Sequence, residues 1–540
     1  MRIARLLLPV PLSCVLALAP AARAEAPGTG VVERAVADLG GALRAGTTTS
    51  VEITRAYLAR IAAIDVRGPA LHSVISLAPH ALDDALASDR ARAARGARGP
   101  LDGIPVLIKD NVESGDGTAT TAGSDALAGN VRRGDAPLVK RLRDAGAIVI
   151  GKTNLSEWAN ARSSASISGW SAVGGLVKNP YALDRNACGS SSGTAAAIAA
   201  SLAAVGVGTE TDGSVTCPSS MNGLVGLKPT VGLISRAGVV PISHVQDTPG
   251  PMGRSVADVA ALLTVIAGSD PRDPATRDAD THKTDYGAGL STASLAGMRL
   301  GVLGFATAAA SPAVDAVFAR AVAVLRAHGA TVVELAAYKP DPRLGAAENA
   351  VLDTDLKSDL DAYLAATPAT VRTRTLADVI AFDRNDPREL ALFGQDAFEK
   401  AEASRGQRDP RYLAARALAH RLAGPDGIDR LVVREKLDAL IAPSFGPAWR
   451  TDTVDGDNGG AGVSSLPAVA GYPHLTVPMG AVRGLPVGIS FIGRAWSERA
   501  LLRIGAAYER ASRARRAPRY LPSVETGTDV APLLAPARTR

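Results

Sequence analysis

The sequence predicts an α/β protein built as one large domain. Short apolar runs bounded by turn formers alternate with stretches of helical spacing. No internal repeat and no linker divides the 540 residues. A hydrophobic fraction of 46% with 21% charged residues is ordinary globular chemistry, which excludes wholesale disorder and a fibre.

The first 24 residues, MRIARLLLPVPLSCVLALAPAARA, join Arg2 and Arg5 to an apolar run and end in Ala22-Arg23-Ala24. That order is the pattern of a secretory signal peptide, so residues 1–24 are expected to be removed and 25–540 to form the domain. The expected location is exported, periplasmic or secreted. Omitting Arg2, Arg5 and Arg23 leaves 56 basic against 53 acidic residues, a net +3. That balance, with 4% aromatics and no basic stripe, gives no case for nucleic acid. Beyond the signal no apolar run approaches membrane length. Cys188 and Cys217 remain, and the sequence does not say whether they pair.

Glu33–Ala45 and Ser50–Asp65 carry helical spacing, with Gly46 as a stop and Thr49 or Ser50 as a cap. Gly103–Lys109 reads as a buried strand, Val139–Ala145 as a helix and Ala147–Ile150 as a second strand. Gly189–Gly193 is a small-residue loop, Ala195–Ala204 an Ala-rich helix, and Val205–Gly208 a strand. From about 309 to 437 the pattern turns helical and more charged, as in Ala313–His328 and Arg411–Leu422. Leu437–Ile441, His474–Val477 and Val487–Gly493 read as strands, and Leu501–Ser512 as a closing helix.

No His-Glu-x-x-His, Cys-x-x-Cys or Walker A pattern is present, so neither a metal nor a cofactor is expected. Gly189-Ser-Ser-Ser-Gly193 contains Gly-x-Ser-x-Gly, which taken alone suggests a nucleophile elbow with Ser191 attacking. An elbow needs a strand running into the turn, and Asn179–Cys188 reads as a loop. Thr209-Glu-Thr-Asp-Gly-Ser214 follows a strand, and Gly213 permits a tight backbone whose N–H groups can converge on an anion. Lys109 ends an apolar strand. Its neighbours Val106, Leu107 and Ile108 desolvate it, which lowers its pKa and frees a neutral amine.

These segments together resemble the amidase signature family. The blocks are GIPVLIKDN (103–111), GKTNLSEWAN (151–160), CGSSSG (188–193), GTETDGS (208–214) and GLVGLKPTVGL (223–233). The match is dense over about 103–258. Within the family SISGWS (166–171), QDTPGPMGRSVAD (246–258) and AGYPHLTVPMG (470–480) are most similar to bacterial peptide amidases. The resemblance implies the amidase-signature fold: a large mixed central β-sheet covered by helices on both faces, with a helix-rich excursion at about 309–437. It also implies a Ser–cis-Ser–Lys triad, with Ser214 as nucleophile, Ser190 as bridge, Lys109 as base and Ser191 in support. The backbone N–H groups of Thr211, Asp212, Gly213 and Ser214 would form the oxyanion hole.

Two features depart from the broad family pattern: Glu210-Thr-Asp-Gly-Ser214 stands where many members have Asp-x-Gly-Gly-Ser, and Thr216 where many have arginine. The implied reaction removes the C-terminal carboxamide of peptides and releases ammonia, without a cofactor. The expected partner is a small-molecule or peptide amide. No nucleic acid and no stable membrane insertion after signal cleavage are expected, and the protein is expected to be a monomer or weak oligomer. Three alternatives stay open. One is a broad amidase for small aliphatic or aromatic amides. Another is a carboxylesterase using Ser191 with His244, His420 or His474. The third is an exported binding protein on the same fold. A role within a tRNA amidotransferase conflicts with the signal peptide.

Overall fold

Eleven strands form the central sheet of the computed structural model, which describes residues 30–459, 462–526 and 531–534. The expected signal peptide at 1–24 lies outside the described residues. In chain order the strands are β1 (Val74–Leu77), β2 (Pro105–Lys109), β3 (Ile148–Thr153), a small separate hairpin of β4 (Trp170–Ser171) and β5 (Gly175–Leu176), β6 (Val205–Glu210), β7 (Val225–Lys228), β8 (Thr248–Gly253), β9 (Arg299–Val302), β10 (Thr331–Glu334), β11 (Ala439–Pro443), β12 (His474–Val482) and β13 (Leu485–Ile492). The order across the main sheet is β1-β3-β2-β6-β8-β7-β12-β13-β11-β9-β10. The sheet is mixed. β2 runs parallel to both β3 and β6, whereas β8, β7, β12 and β13 follow as antiparallel neighbours.

Burial explains the strand sequences. β2, β3, β6, β11 and β13 are buried at every position, so they read as continuous apolar runs rather than alternating ones. Helices cover the sheet. Pro137–Asp144 packs on Val256–Ile266, which packs on Glu498–Ser512, which packs on Pro312–Ala327. Ser192–Ala199, buried throughout, touches β2, β3, β6 and β8. Its approach requires Gly193, where an added Cβ would meet the carbonyl oxygens of Asn154 at 2.3 Å and Ser73 at 2.4 Å.

The excursion consists mainly of helices Arg343–Ala365, Leu376–Asn385, Asp396–Glu402 and Pro410–Ala423, which pack on one another. β10 falls inside this segment and extends the sheet edge, a strand that the helical reading of 309–437 did not anticipate. Leu356, Leu360, Val379 and Phe398 join the excursion to Leu127 and Trp158 of the signature core. Beneath them Arg162, fully buried, pairs with Glu157 at 2.8 Å and lies over the Phe393 ring. Among the described residues no helix is long and apolar enough to cross a membrane.

Candidate active site

Parallel pairing of β2 with β6 places the ends of both strands side by side, because Val106 stands opposite Val205 and Ile108 opposite Val207. Lys109 therefore meets Thr209. Its Nζ donates to Thr209 Oγ1 at 2.9 Å and to Ser190 Oγ at 2.7 Å. Asn111 Nδ2 donates to the same threonine hydroxyl at 2.9 Å. Lys109 and Ser190 are both fully buried. Burial lowers the Lys109 amine to about 7, although the carboxylates of Asp247 and Glu210 favour its charged form. Asp110 points away, as strand alternation requires, and meets Lys152 and Thr121.

Ser190 enters through a cis peptide bond after Gly189, and its carbonyl accepts from Ser156 N–H at 3.0 Å. Ser191 is buried. Its hydroxyl donates to the Thr209 carbonyl at 3.1 Å and accepts from Thr209 N–H at 3.2 Å. Its own N–H donates to the Ser214 carbonyl at 3.1 Å. Ser191 thus ties the Ser190 loop to the Ser214 loop, and its hydroxyl is consumed in doing so. The segment before it, 179–188, is a loop with isolated bridges rather than a strand, so the geometry of a nucleophile elbow is absent.

β6 ends at Glu210, and the chain turns through 211–214 into helix Thr216–Met221. Gly213 takes φ +80°, in the left-handed region that favours glycine. The Glu210 carboxylate accepts from Val215 N–H at 2.8 Å and Thr216 N–H at 2.9 Å, which satisfies the first donors of that helix. It also accepts from the Thr216 hydroxyl at 3.1 Å. Thr216 thus stands on Glu210 where many family members carry arginine. The N–H groups of Thr211, Asp212, Gly213 and Ser214 make no hydrogen bond among the described residues. Asp247 fixes the start of the turn, accepting from Thr211 Oγ1 at 2.6 Å and from the N–H groups of Ile242 and Ser243. Ser214 is half-buried. The structure brings Lys109, Ser190, Ser191 and Ser214 together, but forms no hydrogen bond between the Ser190 and Ser214 hydroxyls among the described residues.

Cys188 and Cys217 are joined by a disulfide. It closes a 29-residue span that contains Ser190 and Ser214. Among the described residues, none of the histidines that an esterase would need hydrogen-bonds Ser191. His474 is fully buried, contacts Ser490 Oγ at 2.6 Å, and is held neutral by burial and by Lys228, down to about 3. His244 faces Asp355 and Asp359, and His420 is exposed. The His244–Asp355–Asp359 group is the one place among the described residues where three metal-type ligands converge. The amide nitrogen of Gln407 points into it, 2.9 Å from Asp359 and 3.1 Å from Asp355, and so supplies the donor itself.

Asn111, Thr209, Glu210 and Asp247 were not singled out from the sequence, yet each lies inside one of the signature blocks. Position within a block was the available signal. Glu348 and Ser465, which also reach the turn, lie outside every block.

The sequence profile of the family described as Amidase matches residues 52–502. A probable amidase of Arabidopsis thaliana is 38% identical over 91% of this chain and 92% of its own length. The crystal structure of an amidase family protein from Bacillus anthracis superposes with a TM-score of 0.81 at 33% identity, over 91% of this chain and 93% of that one. The crystal structure of native peptide amidase from Stenotrophomonas maltophilia superposes with a TM-score of 0.84 at 49% identity, over 91% of this chain and 99% of that one. The chain belongs to the amidase signature family and is an amidase that hydrolyses C–N amide bonds.

Proposed function

We propose that the protein is a serine amidohydrolase that removes the C-terminal carboxamide of peptides, with Ser214 as nucleophile. The observation that carries the mechanism is the buried Lys109–Ser190 contact at 2.7 Å, next to a turn whose four N–H groups make no hydrogen bond among the described residues. Neutral Lys109 accepts the Ser190 proton, and Ser190 accepts the Ser214 proton as Ser214 attacks the carbonyl. The N–H groups of 211–214 receive the oxyanion, each such donor contributing about 3–4 kcal/mol where one has been removed in other enzymes. The proton returns through Ser190 to the departing ammonia. Water then cleaves the acyl-enzyme ester by the same relay. The hydroxyl-to-hydroxyl step needs Ser214 to turn toward Ser190, a tightening common when substrate binds.

The peptide substrate is supported by the 49% identity to a peptide amidase and by a mostly apolar cleft of about 520 Å³ beside Gln246, lined by Val231, Val351, Leu413 and Val469. The Cys188–Cys217 disulfide supports an exported enzyme.

The test is ammonia release from a C-terminally amidated dipeptide, with benzamide in parallel and Ser214→Ala as control. Release from the peptide amide by wild type and not by the variant is the expected result. Wild-type turnover of benzamide alone discards the peptide substrate. Normal turnover by Ser214→Ala discards the nucleophile.

A further inference from the structure

The turn that carries the nucleophile also carries a carboxyl pair that the proton relay does not use. Asp212 Oδ2 accepts from Ser465 Oγ at 2.6 Å, while its Oδ1 is buried without a hydrogen-bond partner among the described residues. Facing Asp212 is Glu348, 6% exposed, from helix Arg343–Ala365 of the excursion. Glu348 Oε1 accepts from Gln246 Nε2 at 3.0 Å, and the same nitrogen reaches the Thr211 carbonyl at 3.4 Å. Glu348 is therefore tied to the turn through Gln246 to residue 211, and its carboxyl lies against that of residue 212.

Two ionised carboxyls in contact repel, and the more buried of the two, here Glu348, is the one driven toward its protonated form. Burial and the neighbouring Asp212 both push the Glu348 carboxyl up, against the Gln246 hydrogen bond. Asp212 is the titratable group facing Glu348, and Asp212 in turn lies within charge range of the buried Lys228 of β7 and Glu210 of β6. Gln246 and Ser465 are neutral, and His244, two residues before Gln246, faces Asp355 and Asp359 instead.

We propose that Glu348 is a positioning residue for the oxyanion turn: held by Gln246, its carboxyl donates a hydrogen bond to the unpartnered Asp212 Oδ1 and so fixes the turn to helix Arg343–Ala365 beside the developing oxyanion. This deepens the serine-amidase reading above and rests on its oxyanion turn. Loss of the carboxyl proton leaves the Gln246 hydrogen bond in place but removes the one to Asp212. It also adds a negative charge where the transition state is building its own. Lys109 then sets the acid side of the activity profile and Glu348 the alkaline side.

The experiment is the pH profile of kcat and KM from pH 5 to 10 for wild type, Glu348→Gln and Glu348→Ala, on the amidated dipeptide and on benzamide. Glu348→Ala is expected to lower kcat about tenfold, the scale of a lost hydrogen bond to a charged group, with KM changed less than threefold. Glu348→Gln, whose amide donates in the same place and does not titrate, is expected to recover most of that loss and to abolish the alkaline fall. An alkaline limb in Glu348→Gln that coincides with wild type's overturns the proposal, as does a wild type with no alkaline limb. Should Glu348→Ala fail to fold, Glu348→Gln carries the decision. Failure of the peptide reading looks different, because wild type is then silent on the dipeptide while benzamide still reports the profile.

Discussion

Lys109 gives a quantitative test of the base. An ordinary lysine at 10.5 is neutral in about 0.03% of molecules at pH 7, whereas one lowered to about 7 is neutral in about half. If the neutral amine accepts the proton, kcat/KM follows the neutral fraction. It should fall about tenfold per pH unit below the midpoint, and about 50-fold between pH 7 and pH 5. The same shift has a thermodynamic counterpart. The folded-state value lies below the unfolded one, so between about 7 and 10.5 the unfolded chain binds more protons than the folded chain. Wild-type stability therefore rises with pH through that window, and the lysine is a full liability below it. Lys109→Met, of similar length and without charge, removes both effects. Integrated from pH 6 to pH 9, wild type should gain about 2–3 kcal/mol over Lys109→Met. Ammonia release across the pH range and urea unfolding of both proteins at pH 6 and 9 supply the measurements. A kcat/KM flat within threefold between pH 5 and 8 refutes the base role. A stability difference that does not grow with pH refutes the lowered pKa on which that role depends.

Two further outcomes are expected. Replacing both Cys188 and Cys217 by alanine opens the 29-residue span and should cost about 3–4 kcal/mol in urea unfolding; a loss under 1 kcal/mol would show that the two serine loops are held by packing instead. Arg162→Met leaves Glu157, Glu389 and Asp383 without their buried cation and should destabilise by about 3–5 kcal/mol at pH 8. That loss should shrink as pH falls, because burial already pushes Asp383 up to about 7 and the orphaned carboxyls take up protons; an equal loss at pH 5.5 and 8 would count against it.

The strands that build the site were legible because they are buried on both faces and so are written as uninterrupted apolar runs. Their ends were less so. The expected strand 103–109 begins at Pro105, since Gly103 turns with φ +77°. The expected helix 33–45 begins at Val36, since Glu33 takes positive φ. The expected helix 50–65 loosens into a wider π turn at Ile61–Val66. The Ala-rich helix starts earlier, at Ser192, and stops at Ala199 because Ser201 adopts φ +55°. These are backbone events that apolar spacing does not encode. Lys109, Ser190 and Ser191 were found because each lies in a dense block, and the packing of β2 against β6 explains why the blocks converge. Glu348 could not be found that way. It reaches the turn from helix Arg343–Ala365, and a glutamate on a charged helix looks like a solvated one until the fold buries it.

The order of strands also dictates when this protein can come into being. β7 pairs with β12 so that Gly226 lies opposite Thr476, some 250 residues later in the chain. A nascent polypeptide carrying the dense signature core at 103–258 still lacks the partner for β7, and presents it as a raw edge. Contacts of such long range make for slow, late closure. The catalytic half is therefore not a module that can be cut out or grafted: a chain ending before β12 is expected to aggregate rather than to work feebly, and the last eighth of the sequence, which supplies none of the proposed catalytic side chains, decides whether the enzyme exists at all.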